Sequence, residues 1–211
     1  MAAYFSIDFQ YKKTDFCDTT VKDFFEKLLH CGLIYKSGFQ HPENDSLNDS
    51  LDEILIWNQR KLEKVFELEN TEPYSLFYKQ MLFYFHDFSE VRLIINDFYY
   101  GKHFSFYLII PEEDFLEYDG RKYKHLYPKM KIIEDFVCSM WETGDICCIQ
   151  SSWECSEGAT DFADITKGAT PSIEPFAIVP DSMYNTEWIC SCENIERNGV
   201  FLKNNDNWFY T

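Results

Sequence analysis

Basic residues are scarce: 19 Lys and Arg stand against 36 Asp and Glu in 211 residues, a formal net charge of −17. A chain this acidic repels phosphate backbones, which excludes general nucleic-acid binding. Long apolar runs are missing too. None approaches the ~18 residues of a spanning helix, so no membrane association is expected. Glycine is limited to 8 residues. None of them builds a phosphate-cradling loop, and no Gly-x-Ser-x-Gly elbow occurs. His30, His41, His86, His103 and His125 never fall in His-x-x-x-His or His-Glu-x-x-His spacing, so a metalloenzyme is unsupported. The opening Met1-Ala-Ala-Tyr-Phe-Ser-Ile-Asp8 lacks the basic start and long apolar stretch of a secretion signal, and a cytoplasmic chain is expected. The eight cysteines then belong in a reducing compartment. Cys17, Cys31 and Cys138 lie in or beside helical patterns and read as small buried hydrophobes. Cys190 and Cys192, with Cys147, Cys148 and Cys155, carry enough sulfur for a metal. No pair has the spacer of zinc sites, so neither metal nor cofactor is expected.

What the chain has in quantity is aromatic surface: 20 Phe, 14 Tyr and 5 Trp, enough to bury a core that disordered chains cannot build. With no linker rich in Pro, Gly or Ser, residues 1–211 read as one domain. Tyr4 to Tyr11 alternates, with Phe5, Ile7 and Phe9 on one side and Ser6, Asp8 and Gln10 on the other, which predicts a half-buried strand. Val21, Phe24, Phe25, Leu28 and Leu29 form one helical stripe, opened by Thr20-Val-Lys-Asp23 and closed by Gly32. Residues 37–50 are polar and read as a loop. Ser50-Leu-Asp-Glu53 then caps a second helix, although Glu53–Trp57 would also suit a short strand. Leu82–Phe85, ambiguous between strand and helix, precedes strands at Val91–Ile95 and Phe104–Ile110, with Tyr100-Gly-Lys102 at the turn between them. Pro128 opens a third helix that Gly144 ends. Later strands are expected at Asp145–Ile149, Phe176–Val179, Glu187–Ser191, Val200–Lys203 and Trp208–Tyr210. This order lacks strict βαβ alternation. It predicts an α+β domain, a mixed or antiparallel sheet with about three helices packed on one face.

Charge is distributed unevenly. From Ile132 to Glu196 there are thirteen carboxylates against one base, Lys167, a local net of −12 over 65 residues. Such a surface keeps a protein dispersed, and it also steers a basic partner toward it. Within this stretch, residues 151–172 read as a long loop that mixes acids with aromatics. Its Trp153, Glu154, Glu157, Asp161, Phe162 and Asp164 are the candidate partner contacts, as charge-ringed aromatics suit a binding hot spot. The same two aromatics would serve equally to pin the loop to the core. Catalytic signals are thin. His86-Asp87 is the single local acid–base hint, and a Cys–His pair meeting in space is compatible with the sequence. Glu112, Glu113, Asp114, Glu117 and Asp119 follow Pro111 and suit a solvated helix start better than paired glycosidase carboxylates.

The opening Tyr4-Phe-Ser-Ile-Asp-Phe9 strand, the Val21-Lys-Asp-Phe-Phe-Glu-Lys-Leu-Leu29 helix running into Gly32, and the Trp- and acid-rich later half resemble bacterial immunity proteins of polymorphic-toxin systems. The resemblance implies a non-enzymatic protein that binds and neutralises a basic partner, a cognate toxin and often a nuclease. It lies in general style and carries over no family residue. An enzyme with an aromatic-lined pocket and an oligomeric scaffold are the alternatives.

Overall fold

The computed structural model describes residues 3–43, 45–67, 77–97, 103–121, 123–154 and 158–204. Its centre is β1 (Tyr4–Lys12), whose alternating pattern makes it a strand as expected. Its neighbours are β5 (His103–Pro111) on one side and β8 (Cys148–Trp153) on the other, both antiparallel. With β2 (Ile34–Gly38), β3 (Met81–Tyr84), β4 (Val91–Asp97), β9 (Phe176–Pro180), β10 (Ser191–Ile195) and β11 (Gly199–Lys203), they form one antiparallel sheet. Its order is β10-β11-β9-β8-β1-β5-β4-β3-β2. Among the described residues the sheet is open, with β10 and β2 as its two edges. A separate ribbon pairs β6 (Leu116–Tyr118) with β7 (Tyr123–His125).

Three long helices cover one face. α1 (Thr20–His30), α2 (Leu51–Glu67) and α3 (Tyr127–Glu142) send their apolar stripes onto Phe5, Ile7, Phe9 and Tyr11 of β1 and the matching residues of β5. Phe24 of α1 stacks nearly parallel on Phe106 of β5, with ring centroids 4.0 Å apart, and Phe136 of α3 meets Phe9 edge-on. The local signals behave as physics requires, with small offsets. The Ser50–Glu53 capping box forms in both directions: Ser50 N–H donates to Glu53 Oε2 at 2.8 Å, and Glu53 N–H to Ser50 Oγ at 3.3 Å. That fixes residues 53–57 as helix. At α1 the expected capping box does not form: the N-cap is Thr19, whose hydroxyl donates to the Asp23 carboxylate (2.7 Å) and not to helix backbone, while Thr20 Oγ1 accepts the Cys17 N–H. Gly32 and Gly144 take positive φ after their helices, a conformation that L side chains resist.

The opposite face departs from the sequence expectation. β1 was expected to show its polar side to water, yet Asp8 is 2% exposed and Gln10 fully buried. A second, smaller core explains this. α4 (Phe162–Ile165), a single helical turn, and the segment around Trp188 lie over Cys148, Ala177, Val179, Val200 and Leu202. Both faces of the sheet's middle are therefore covered. Other offsets are local. β2 begins before the expected 37–50 loop and takes its first two residues, residues 81–84 resolve as strand, β8 starts three residues late, and β10 starts at Ser191. The Glu112–Phe115 segment is a 3₁₀ turn. The expected turn at Tyr100–Lys102 and the strand at Trp208–Tyr210 lie outside the described residues. Cys31 and Cys138 are half-buried but Cys17 is exposed, and hydrogen bonding with Thr19 and Thr20 lowers its thiol pKa. Among the described residues, no helix is long and apolar enough to cross a membrane.

Candidate functional site

Two buried glutamines decide what the 154–172 segment can do. Gln10 Nε2 donates to Asp8 Oδ2 (2.7 Å) and to the Thr160 carbonyl (3.0 Å), and Gln10 Oε1 accepts the Phe162 N–H (2.9 Å). Gln150 Nε2 donates to the same Thr160 carbonyl (2.7 Å), while its Oε1 accepts N–H groups from Thr160 (3.0 Å) and Ser172 (2.7 Å). The amide side chains thus stand in for a strand partner and satisfy backbone that would otherwise be buried unpaired. What the sequence presents as a long free loop is clamped at Thr160, Phe162 and Ser172.

The six residues singled out from the sequence do not share one exposed face. Trp153 lies opposite Phe5 in the ladder and packs on it at 4.8 Å, on the helix side of the sheet. Phe162 is 2% exposed and belongs to the second core on the other side. Asp161 caps α4, accepting the Ala163 N–H at 2.6 Å, and its Oδ1 lies 3.3 Å from His103 Nδ1. Glu154 accepts the Tyr4 N–H at 2.8 Å and so anchors the start of β1. Asp164 is exposed and paired with Lys167 at 2.8 Å. Glu157 lies outside the described residues. Both aromatics therefore act as pins, the second role that the sequence allows them.

The twelve of these thirteen carboxylates that lie among the described residues are likewise not gathered on one face of the sheet, Glu134 belonging to α3 on one side and Asp161 to the cap of α4 on the other. Glu134, 5% exposed, receives Lys203 at 2.7 Å. Asp135 pairs with Lys131 and Asp145 with Lys27. The acids that keep their charge uncompensated include a group beside the sheet edge. Asp181, Glu187, Glu193 and Glu196 are exposed and make no ion pair among the described residues. They belong to one neighbourhood: Asp181 N–H donates to the Asn198 carbonyl (2.8 Å), and the Tyr184 hydroxyl meets Cys192 Sγ at 3.3 Å. The bases nearby are engaged, Lys203 by Glu134 and Arg197 by the Trp141 carbonyl (2.8 Å) and ring. Ile189, 91% exposed, lies between Glu187 and Glu193 in the chain. Its place was legible only in part. The base-free run after Lys167 is visible in the sequence, but nothing there shows that the run ends on an edge strand.

Among the described residues, Asp8 is the one carboxyl moved strongly by its surroundings. Burial pushes it up to about 7, against the hydrogen bond from Gln10, and the Asp161 carboxylate adds to the rise. Its Oδ1 and the neighbouring Ser105 Oγ find no hydrogen-bond partner among the described residues. Sealed beneath the second face, this group holds a proton without access to a substrate. His86 and Asp87 are exposed, and Asp87 is taken by Lys129 at 2.7 Å. Asp114 accepts both N–H and O–H of Ser89, a local cap in place of a catalytic pair. A hollow of about 510 Å³ opens along α2 between Asp49, Glu53, Trp57, Arg60 and Lys79 and mixes both charges. Among the described residues, no group of three His, Cys, Asp or Glu is placed to hold a metal ion. No protein-family model and no curated protein matches the chain.

Proposed function

We propose that this chain is an acidic interaction protein, acting without catalysis, that binds and neutralises a basic protein partner, a cognate toxin in the manner of bacterial immunity proteins. The observation that carries this reading is the set of exposed carboxylates Asp181, Glu187, Glu193 and Glu196, without an ion pair among the described residues, in the same stretch of chain as the exposed Ile189. Charge of one sign beside an accessible apolar anchor suits association. The carboxylates draw a cationic surface in, with rate gains of about 10–10³, and burial of the isoleucine then slows its release. Neutralisation follows from occupancy: the same carboxylates cover the cationic patch with which a nuclease toxin would hold phosphate.

The test is capture by the immobilised full chain from an extract of its native cell at low salt. It is run beside the variant Glu187→Lys, Glu193→Lys, Glu196→Lys. The expected result is a basic protein that the native chain retains, that salt elutes, and that the variant releases. Equal retention by the variant, or capture of acidic proteins alone, would overturn the reading.

A further inference from the structure

The two edges of the sheet are built differently, and the difference identifies how a partner would bind. An edge strand exposes a row of backbone N–H and C=O groups to any extended chain, and proteins usually blunt it with bulges, prolines or lysines. The β2 edge is blunted in this way. Its pairing with β3 slips between Tyr35 and Ser37, and Lys36 stands over the Tyr84 ring at 5.0 Å. Among the described residues the β10 edge has no bulge, proline or lysine, and its one charge is the acidic Glu193. It pairs with β11 through five successive residues without a shift, contains no Pro, Gly or Lys, and exposes Cys192, Glu193 and Asn194. It is also rigidly backed, since Val200, Phe201 and Leu202 of β11 are buried in the two cores. The hairpin turn is tied to α3 by Trp141 Nε1 donating to the Glu196 carbonyl at 3.2 Å.

From this contrast we infer that β10 is a docking strand, on which an extended cationic segment of the partner adds as a further antiparallel strand. This rests on the reading of the chain as a binder of basic protein and names the mode of recognition. The charge pattern selects the occupant. Glu193 is the middle residue of Ser191–Ile195. Two copies pairing antiparallel about their centres would set Glu193 against Glu193, and like charges directly opposite each other destabilise a sheet. A strand carrying Lys or Arg at that position gains a cross-strand ion pair instead. Glu187 and Glu196 stand before and after the strand in the chain, and Ile189 offers an apolar contact just before it begins. Main-chain pairing supplies affinity in this mode, and alternate side chains supply choice.

The experiment uses the full chain and three seven-residue probes: Lys-Val-Lys-Val-Lys-Val-Lys, its Glu-for-Lys counterpart, and the lysine peptide with every main-chain amide N-methylated. Binding is followed by fluorescence anisotropy and by amide exchange of Cys192 to Ile195. The expected result is that the lysine peptide binds and protects β10 amides. The methylated peptide, equal in charge but without donors, should bind about tenfold more weakly or worse, as each lost hydrogen bond is worth about 1 kcal/mol. Glu193→Lys should reverse the preference toward the glutamate peptide. Equal binding of the methylated peptide would sink the edge inference and leave the basic-partner reading standing. Lysine and glutamate peptides binding alike would sink that reading itself. Concentration-dependent protection of β10 without any peptide would show a second copy as the occupant and overturn the choice of a cationic segment.

Discussion

Replacing Asp8 with Asn isolates the cost of burying a carboxyl on the central strand. The carboxyl sits 2% exposed on the central strand and is pushed from its ordinary 3.8 to about 7. Because the shift is upward, the folded chain keeps a proton that the unfolded chain gives up between pH 4 and 7. The protonated form's stability is thus complete below about pH 4 and drains away as pH rises through 7. The gap between the two values, at about 1.4 kcal/mol per pH unit, makes a penalty of about 4 kcal/mol above neutrality. Asparagine keeps the shape without the charge. Its oxygen accepts the Gln10 Nε2 hydrogen bond that Asp8 Oδ2 now takes, and its NH₂ occupies the position of Oδ1, near an unpartnered Ser105 Oγ. Urea unfolding of both proteins from pH 4 to 8 is the assay. The variant should match the native chain near pH 4 and exceed it by up to about 4 kcal/mol at pH 8, with the difference opening at about 1.4 kcal/mol per unit. Parallel stability curves, or a variant weaker than the native chain at pH 8, would refute the assignment of a buried, high-pKa carboxyl.

Three further outcomes follow from named contacts. Gln150→Ala removes the clamp on Thr160 and Ser172 and should lower stability by at least about 2 kcal/mol, since it strands polar backbone at a partly buried site; amide exchange at those two residues should accelerate. Gly199→Ala would set a methyl group onto the Trp141 indole, so overpacking should lower stability by about 1–3 kcal/mol in thermal or urea unfolding. Glu187→Lys, Glu193→Lys, Glu196→Lys changes only exposed positions and should leave stability within about 0.5 kcal/mol per site, while association with a basic partner slows and loses its salt dependence in stopped-flow measurements.

Helices with a clear period were legible in the sequence because tertiary packing agrees with the local pattern. Val21, Phe24, Phe25 and Leu28 of α1 all reach the core, as do Ile133, Phe136 and Met140 of α3. Strand β1 was legible as a strand, but its second face was not. Asp8 and Gln10 look solvated because polarity alone does not distinguish a side chain facing water from one that hydrogen-bonds a crossing segment. β2 escaped notice because Ile34-Tyr-Lys-Ser-Gly38 is short, bulged and at an edge, where patterning is weak. The sum of charge was readable, and its placement was not. Chain order keeps Glu134 and Glu193 among one acidic run, whereas folding buries the first against Lys203 and leaves the second exposed on the edge strand.

The claim at the centre of this account, that an acidic edge masks a basic protein, is tested most directly in growing cells. The gene beside this one is expressed alone, with the native chain, and with the Glu187, Glu193, Glu196 lysine variant shown separately to be folded. The account predicts growth arrest by the neighbour alone, rescue by the native chain, and failure of the variant to rescue. Arrest that the native chain does not relieve, or rescue by the variant equal to the native chain's, would contradict it.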